Sequence, residues 1–255
     1  MIRLMQADFF RLTRTKSVYI VLILFISLFI VSTITETVGT IGVSNEQVNE
    51  ATNAIAWDFI SAMKYFTVTA CILIYCFIVY YINIFSIEFL NRTYKNILMA
   101  GTSRSTYVFS KLSMLFLMII STTIIIYCII TLVCFFYYGK PADLPDNYLM
   151  STLQFIIGLS LCIMVYYILA SFLQILFNSI VAAIVFIVLA PLAVQILQVT
   201  QGWEWLKYID YLSLTQSFGL GFIQGADILP YIYVNGVIVV VAIVLSIMLL
   251  KRKEF

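Results

Sequence analysis

One stretch of this sequence gathers most of the polar side chains able to do chemistry. It runs Glu88-Phe89-Leu90-Asn91-Arg92-Thr93-Tyr94-Lys95-Asn96-Ile97-Leu98-Met99-Ala100-Gly101-Thr102-Ser103-Arg104 and on to Lys111. Thr93 to Ala100 reads as a short helix, Gly101 suits its C-terminal stop, and Ser103 or Ser105 suits the cap of the helix that follows. A short helix that is part apolar and part basic works by docking, and Ile97, Leu98 and Met99 would suit a groove on another protein. The plainer reading is a basic loop that fixes membrane topology, and composition leaves the two open. Catalysis has little to work with elsewhere. The sequence holds no histidine, which removes an imidazole base, a histidine metal site and a Ser-His nucleophile. Cys71, Cys76, Cys128, Cys134 and Cys162 each sit inside an apolar run and read as small buried hydrophobes rather than disulfide partners or metal ligands.

The elements that must position this stretch are membrane spans. Of the 255 residues, 63% are hydrophobic and 10% charged, and mean hydropathy is +1.07. A soluble domain is roughly 45–50% apolar and about 25% charged. So much apolar surface cannot all be core, so lipid is the solvent for most of the chain. That excludes a soluble enzyme, a nucleic-acid binder and a disordered chain. Six apolar stretches are long enough to cross a bilayer as helices: residues 18–35, 65–87, 112–137, 149–173, 179–197 and 231–250. The runs are continuous, without the alternation of a β-barrel. The expected fold is therefore an all-α integral membrane protein, one domain over residues 1–255.

Charge sets the orientation. Only Lys64, Lys140 and Lys207 of the 14 basic residues lie outside the first 17 residues, the 88–111 loop and the C-terminal tail, and those three regions hold only Asp8, Glu88 and Glu254 of the 12 acids. The positive-inside rule then puts both termini and the loops after spans 2 and 4 in the cytoplasm. The first span follows a basic segment but is followed by no small-x-small cleavage site, so it reads as a retained span. Within residues 1–17, Ile2, Met5, Phe9 and Leu12 form one helical stripe flanked by Arg3, Arg11, Arg14 and Lys16, which suits an interfacial helix. Residues 198–230 carry Trp203, Trp205, Tyr208, Tyr211, Phe218 and Phe222. They suit an outer segment that re-enters the membrane, either as a lid or as an interfacial belt. No charge lies in the middle of a span, which opposes an ion-coupled pathway and an intramembrane aspartyl protease. Asn83, Ser121, Thr122, Thr123, Gln154 and Gln195 are the polar residues at membrane depth. They read first as inter-helix hydrogen-bonding groups, with a mildly polar path lining as the sharper alternative. Pro191 is a candidate hinge in span 5.

In this layout the chain resembles, over its whole length, the permease subunits of ATP-binding-cassette exporters of the ABC-2 class. The matching features are an elbow helix before span 1, six spans with both termini inside, and an outer re-entrant segment before span 6. The most specific is an acid at the end of span 2, a coupling helix, a Gly-Thr, then an arginine and a lysine leading into span 3. Here these are Glu88, Arg92 to Ala100, Gly101-Thr102, Arg104 and Lys111. The resemblance implies a path formed with a second permease copy, as a homodimer or heterodimer, and a separate cytoplasmic ATPase. Glu88 and Arg104 would anchor the coupling helix. Thr93, Asn96, Ile97, Leu98 and Met99 would contact the ATPase, with Arg92 and Lys95 inside the same matched segment. This chain has no Gly-x-x-x-x-Gly-Lys-Ser/Thr stretch, so ATP and magnesium are expected on the partner. The chain itself is expected to bind no cofactor or metal, to be no enzyme and to contact no nucleic acid. Composition and resemblance together suggest a bacterial inner-membrane exporter of a hydrophobic or amphipathic cargo: a peptide, a toxin or an antimicrobial. An ATP-independent secondary transporter or channel is the alternative, and a non-transporting scaffold subunit a third.

Overall fold

In the computed structural model of the chain, residues 2–41, 57–91, 93–139, 148–223 and 225–252 are described. Met1, Arg92, Lys140, Lys253 and Glu254 lie outside the described residues, as do the side chains of Leu98, Lys251 and Arg252. No strand occurs among the described residues. Helix α1 spans Ile2–Arg14 and α2 Lys16–Ile34, with Thr15 alone between them. The next helix, α3, runs Phe59–Leu90 and begins at Asp58, whose carboxylate accepts the Ser61 amide at 2.8 Å. The Ser61 hydrogen bonds hold the Asp58 carboxyl below its usual range. A short α4, Thr93–Met99, leads to α5, Arg104–Tyr138. The remaining α-helices among the described residues are α6, Tyr148–Phe177, and α7, Ile180–Gln201, then α8, Tyr211–Gly219, and α9, Leu229–Arg252.

Six of these (α2, α3, α5, α6, α7 and α9) are long and apolar enough to cross a bilayer. Most outrun the apolar stretch that marks them, because capping groups close their ends. Ser103 caps α5 by accepting the Thr106 amide at 3.2 Å, and Ser179 caps α7. The α6–α7 connection shrinks to Asn178 and Ser179, where a 174–178 linker is expected from the sequence. Asn178 makes the reversal at φ 53°, a conformation asparagine tolerates better than most residues. The helices divide into an inner and an outer set. In α3 and α6, 61% and 72% of the apolar window is buried, against 17% in α2, 22% in α7 and 17% in α9. The core thus lies along α3 and α6, with α9 and α7 packed on α6.

Helix α3 is irregular. It passes through a 3-10 turn at Ala70–Ile72 and a π-helical turn at Ile82–Ser86 before a last α-turn, Ile87–Leu90. A π turn inserts one extra residue and loosens the regular hydrogen-bond ladder. This one ends two residues before Glu88.

Candidate coupling site

Helix α4 is a two-turn element between the end of α3 and the start of α5. Gly101, at φ +90°, turns the chain after it, a conformation that costs glycine little and other residues more. Its inner face is Tyr94, 8% exposed, and Ile97, partly buried against the core. Tyr94 stacks on Phe89 at 4.5 Å between ring centroids, and Phe89 on Phe85 at 4.8 Å. The Thr93 hydroxyl donates to the Glu88 carbonyl at 3.4 Å. The outer face carries Thr93, Asn96 and Met99, all exposed, with Met99 at 78%. Ile97 is expected from the sequence to share the outward face with Met99, but the three-residue turn of the aromatic stack draws it inward with Tyr94. Lys95, Thr102 and Arg104 are half-buried and Gly101 is exposed.

Beneath α4 lies a knot of buried charge. Glu88 is 5% exposed and Lys111 1%. Lys111 Nζ donates to Glu88 Oε1 at 2.6 Å and to Asp8 Oδ1 at 2.7 Å. Arg11 Nη1 donates to Glu88 Oε1 at 2.9 Å, and Arg11 Nη2 reaches Asp8 Oδ1 at 3.3 Å. The Tyr107 hydroxyl donates to Glu88 Oε2 at 2.8 Å. Two acids and two bases so placed neutralise one another. That is what allows a lysine to stand almost wholly out of solvent, where an unpaired charge would cost several kcal/mol. Burial pushes the Asp8 carboxyl above its usual range, and the Lys111 ammonium pulls against that shift. Arg11 Nη2 also donates to the carbonyls of Asn83 and Ile84 inside the π turn. One arginine of α1 therefore holds both the acid at the end of α3 and the loosened backbone just before it.

The sequence points to Glu88 as an anchor and to Arg104 as its fellow. The structure gives Glu88 partners that sequence reasoning leaves in other roles. Lys111 stands in the matched motif as the lysine leading into span 3, Arg11 as a flank of the interfacial stripe and Asp8 as one of few acids among basic residues, while Tyr107 attracts no notice. A signal exists in retrospect: Asp8 and Arg11 are one helical turn apart, as are Tyr107 and Lys111, so each pair presents one face. What the sequence lacks is any mark that the two faces meet at Glu88. Of the candidate path residues, half-buried Asn83 donates its amide to Val79 O at 2.8 Å and gives its carbonyl to Arg11. Gln154 is half-buried on α6. Gln195 is 2% exposed on α7, and α7 continues through buried Pro191 to Gln201. Other buried amides, Gln174 and Asn235 among them, escape the sequence reading. Gln174 on α6 accepts the Tyr81 hydroxyl at 2.6 Å and the Ser86 hydroxyl at 2.9 Å. Asn235 on α9 donates to Tyr208 O at 2.7 Å.

An all-helical chain with six such apolar helices is a multi-pass membrane protein. The sequence matches the family model described as ABC-2 family transporter protein over residues 4–194, and the chain belongs to that family. The matched region runs from α1 into α7 and contains α4 and every member of the charge knot. No curated protein matches the chain.

Proposed function

We propose that this chain is the membrane-spanning permease subunit of an ATP-driven exporter, with ATP and magnesium bound by a separate cytoplasmic ATPase that docks on α4. The observation that carries this reading is the construction of α4. Its outward face, Thr93, Asn96 and Met99, is bare, while its root is held by an aromatic stack, by the buried Lys111–Glu88 ion pair and by the partly exposed Arg11. A helix rooted firmly and presented to one side can receive a push without bending. Both termini and α4 then lie in the cytoplasm, by the distribution of positive charge, and the composition suits a bacterial inner membrane. Helix α1 lies along the inner membrane surface as an elbow. Residues 198–230 form the outer, re-entrant end, and a second permease copy completes the path. The cargo is hydrophobic or amphipathic, in keeping with apolar, aromatic-rich spans that offer no fixed charge to an ion.

The test uses the tagged chain extracted from its native membrane in mild detergent. A P-loop ATPase is expected to co-purify in stoichiometric amount and to be released by Met99→Asp, which places a charge on the outward face of α4 without touching the charge knot. Retention of the ATPase, with its hydrolysis rate unchanged by Met99→Asp, would overturn the role of α4. A clean preparation with no ATPase would favour the secondary-transporter reading instead.

A further inference from the structure

The π turn in α3 is gripped from two sides. From α1, Arg11 donates to the carbonyls of Asn83 and Ile84, within the turn. From α6, the carbonyl oxygen of Gln174 accepts hydroxyls from Tyr81, just before the turn, and from Ser86, its last residue. Gln174 is 1% exposed, and its Nε2 has no hydrogen-bond partner among the described residues. The acceptor alone therefore does the work. A buried amide left half-satisfied is costly, and a leucine would fill much the same space.

Rings connect this grip to α4. Tyr81 stacks on Phe85 at 5.9 Å, Phe85 on Phe89 at 4.8 Å, and Phe89 on Tyr94 at 4.5 Å, with interplanar angles of 15°, 18° and 14°. An unbroken file of parallel rings thus runs from α4 to the tyrosine that Gln174 holds. Close-packed rings transmit displacement because they have no void to collapse into. A π turn is the place where a long helix can change direction at low cost.

The geometry points to the π turn Ile82–Ser86 as the joint at which movement of α4 is handed to α6, with Gln174 as the positioning residue that makes α6 follow. This rests on the reading of α4 as the coupling helix. Helix α6 is the most buried span and carries α7 and α9 on its sides, so moving it moves half the bundle.

The test is a pair of spin-label distances in the intact complex of the chain with its co-purified ATPase, in lipid nanodiscs, with the five native cysteines replaced by alanine. One pair joins Ala100, at the end of α4 and beside its docking face, to Val31 on α2; the other joins Phe177 on α6 to Val31. All three positions are exposed. Trapping with ATP and vanadate is expected to shift both distances in the otherwise unaltered chain. In Gln174→Leu the Ala100 shift is expected to persist and the Phe177 shift to be lost. In Gln174→Glu, which keeps an acceptor for both hydroxyls, the Phe177 shift is expected to return. A Phe177 shift that survives Gln174→Leu would overturn the joint, as would one that stays lost in Gln174→Glu. So would a Phe177 distance that never moves while Ala100 does. If the Ala100 distance fails to shift even without substitution, the coupling role of α4 itself fails.

Discussion

At the Leu90 end of α3 the fastenings are ionised side chains from three helices; at the Phe59 end they are neutral groups reaching backbone carbonyls. The first end has Lys111, Arg11, Asp8 and Glu88 in mutual contact. At the second, the Tyr211 hydroxyl donates to Ala70 O of α3, while Tyr166 of α6 donates to Ile209 O at 3.1 Å and Asn235 of α9 to Tyr208 O, which hold the neighbouring 203–219 stretch in place. Phe155 stacks on Phe218 at 4.1 Å. Asp210 is fully buried there, but it serves as the cap of α8, accepting the Leu212 and Ser213 amides and the Ser213 hydroxyl. Burial raises its carboxyl pKa, and those bonds oppose the shift. The difference teaches how each end should fail. An ionic knot loses more than one bond when a member is removed, because the partner is left charged and buried. A set of neutral bonds to carbonyls loses members one at a time, each worth about 0.5–1.5 kcal/mol.

Breaking the knot at its centre should give the largest effect. Glu88→Gln leaves the Lys111 ammonium with Asp8 as its one remaining carboxylate and weakens Arg11's hold on α3. The expected loss is about 3–5 kcal/mol, read as a fall in the thermal midpoint of the detergent-purified chain. Adding Lys111→Met removes the stranded cation, so the double variant should recover part of the loss. A midpoint unmoved by Glu88→Gln would mean that the knot holds nothing.

At the other end the tightest contact is steric. A Cβ on Gly219 would stand 2.5 Å from Val68 Cγ2 and 2.8 Å from Lys64 O, and backbone cannot step aside. Gly219→Ala should therefore lift α8 off α3 at a cost of about 1–3 kcal/mol, less than Glu88→Gln. Faster amide exchange confined to α8 and the 203–210 stretch would be its signature. Exchange that quickens at α1 and α4 instead would show that the two ends are not separable.

How much of this was legible in the sequence follows the same division. The six spans and their all-helical character stood in the apolar runs, since a bilayer allows few alternatives to a helix. Helix α4 and its stop at Gly101 stood in local signals as well. The charge knot did not, because Asp8, Glu88 and Lys111 are far apart in sequence and nothing local to any of them names the others. The π turn is hidden for a related reason: Ile82-Asn83-Ile84-Phe85-Ser86 has no proline or glycine, and the extra residue is tolerated through Arg11 and Gln174, which belong to other helices.

The smallest expected effect sharpens the comparison from inside the knot. Burial works against the ionised form of Asp8, and its Oδ2 has no partner among the described residues. Asn keeps an oxygen where Oδ1 accepts Lys111 and Arg11, so Asp8→Asn should cost about 1 kcal/mol or less. The sign of its pH dependence follows. The folded chain holds the Asp8 proton more tightly than the unfolded chain does. Its contribution therefore favours folding as pH falls from the raised pKa toward the ordinary 3.8, and opposes folding above that window. Lys111, Arg11, Glu88 and Tyr107 all face Asp8 and are common to both proteins, so the comparison isolates one carboxyl. The midpoint of the unaltered chain should gain on that of Asp8→Asn as pH is lowered through the window. A gap that widens instead in favour of Asp8→Asn would mean that the Lys111 ammonium, not burial, governs this carboxyl.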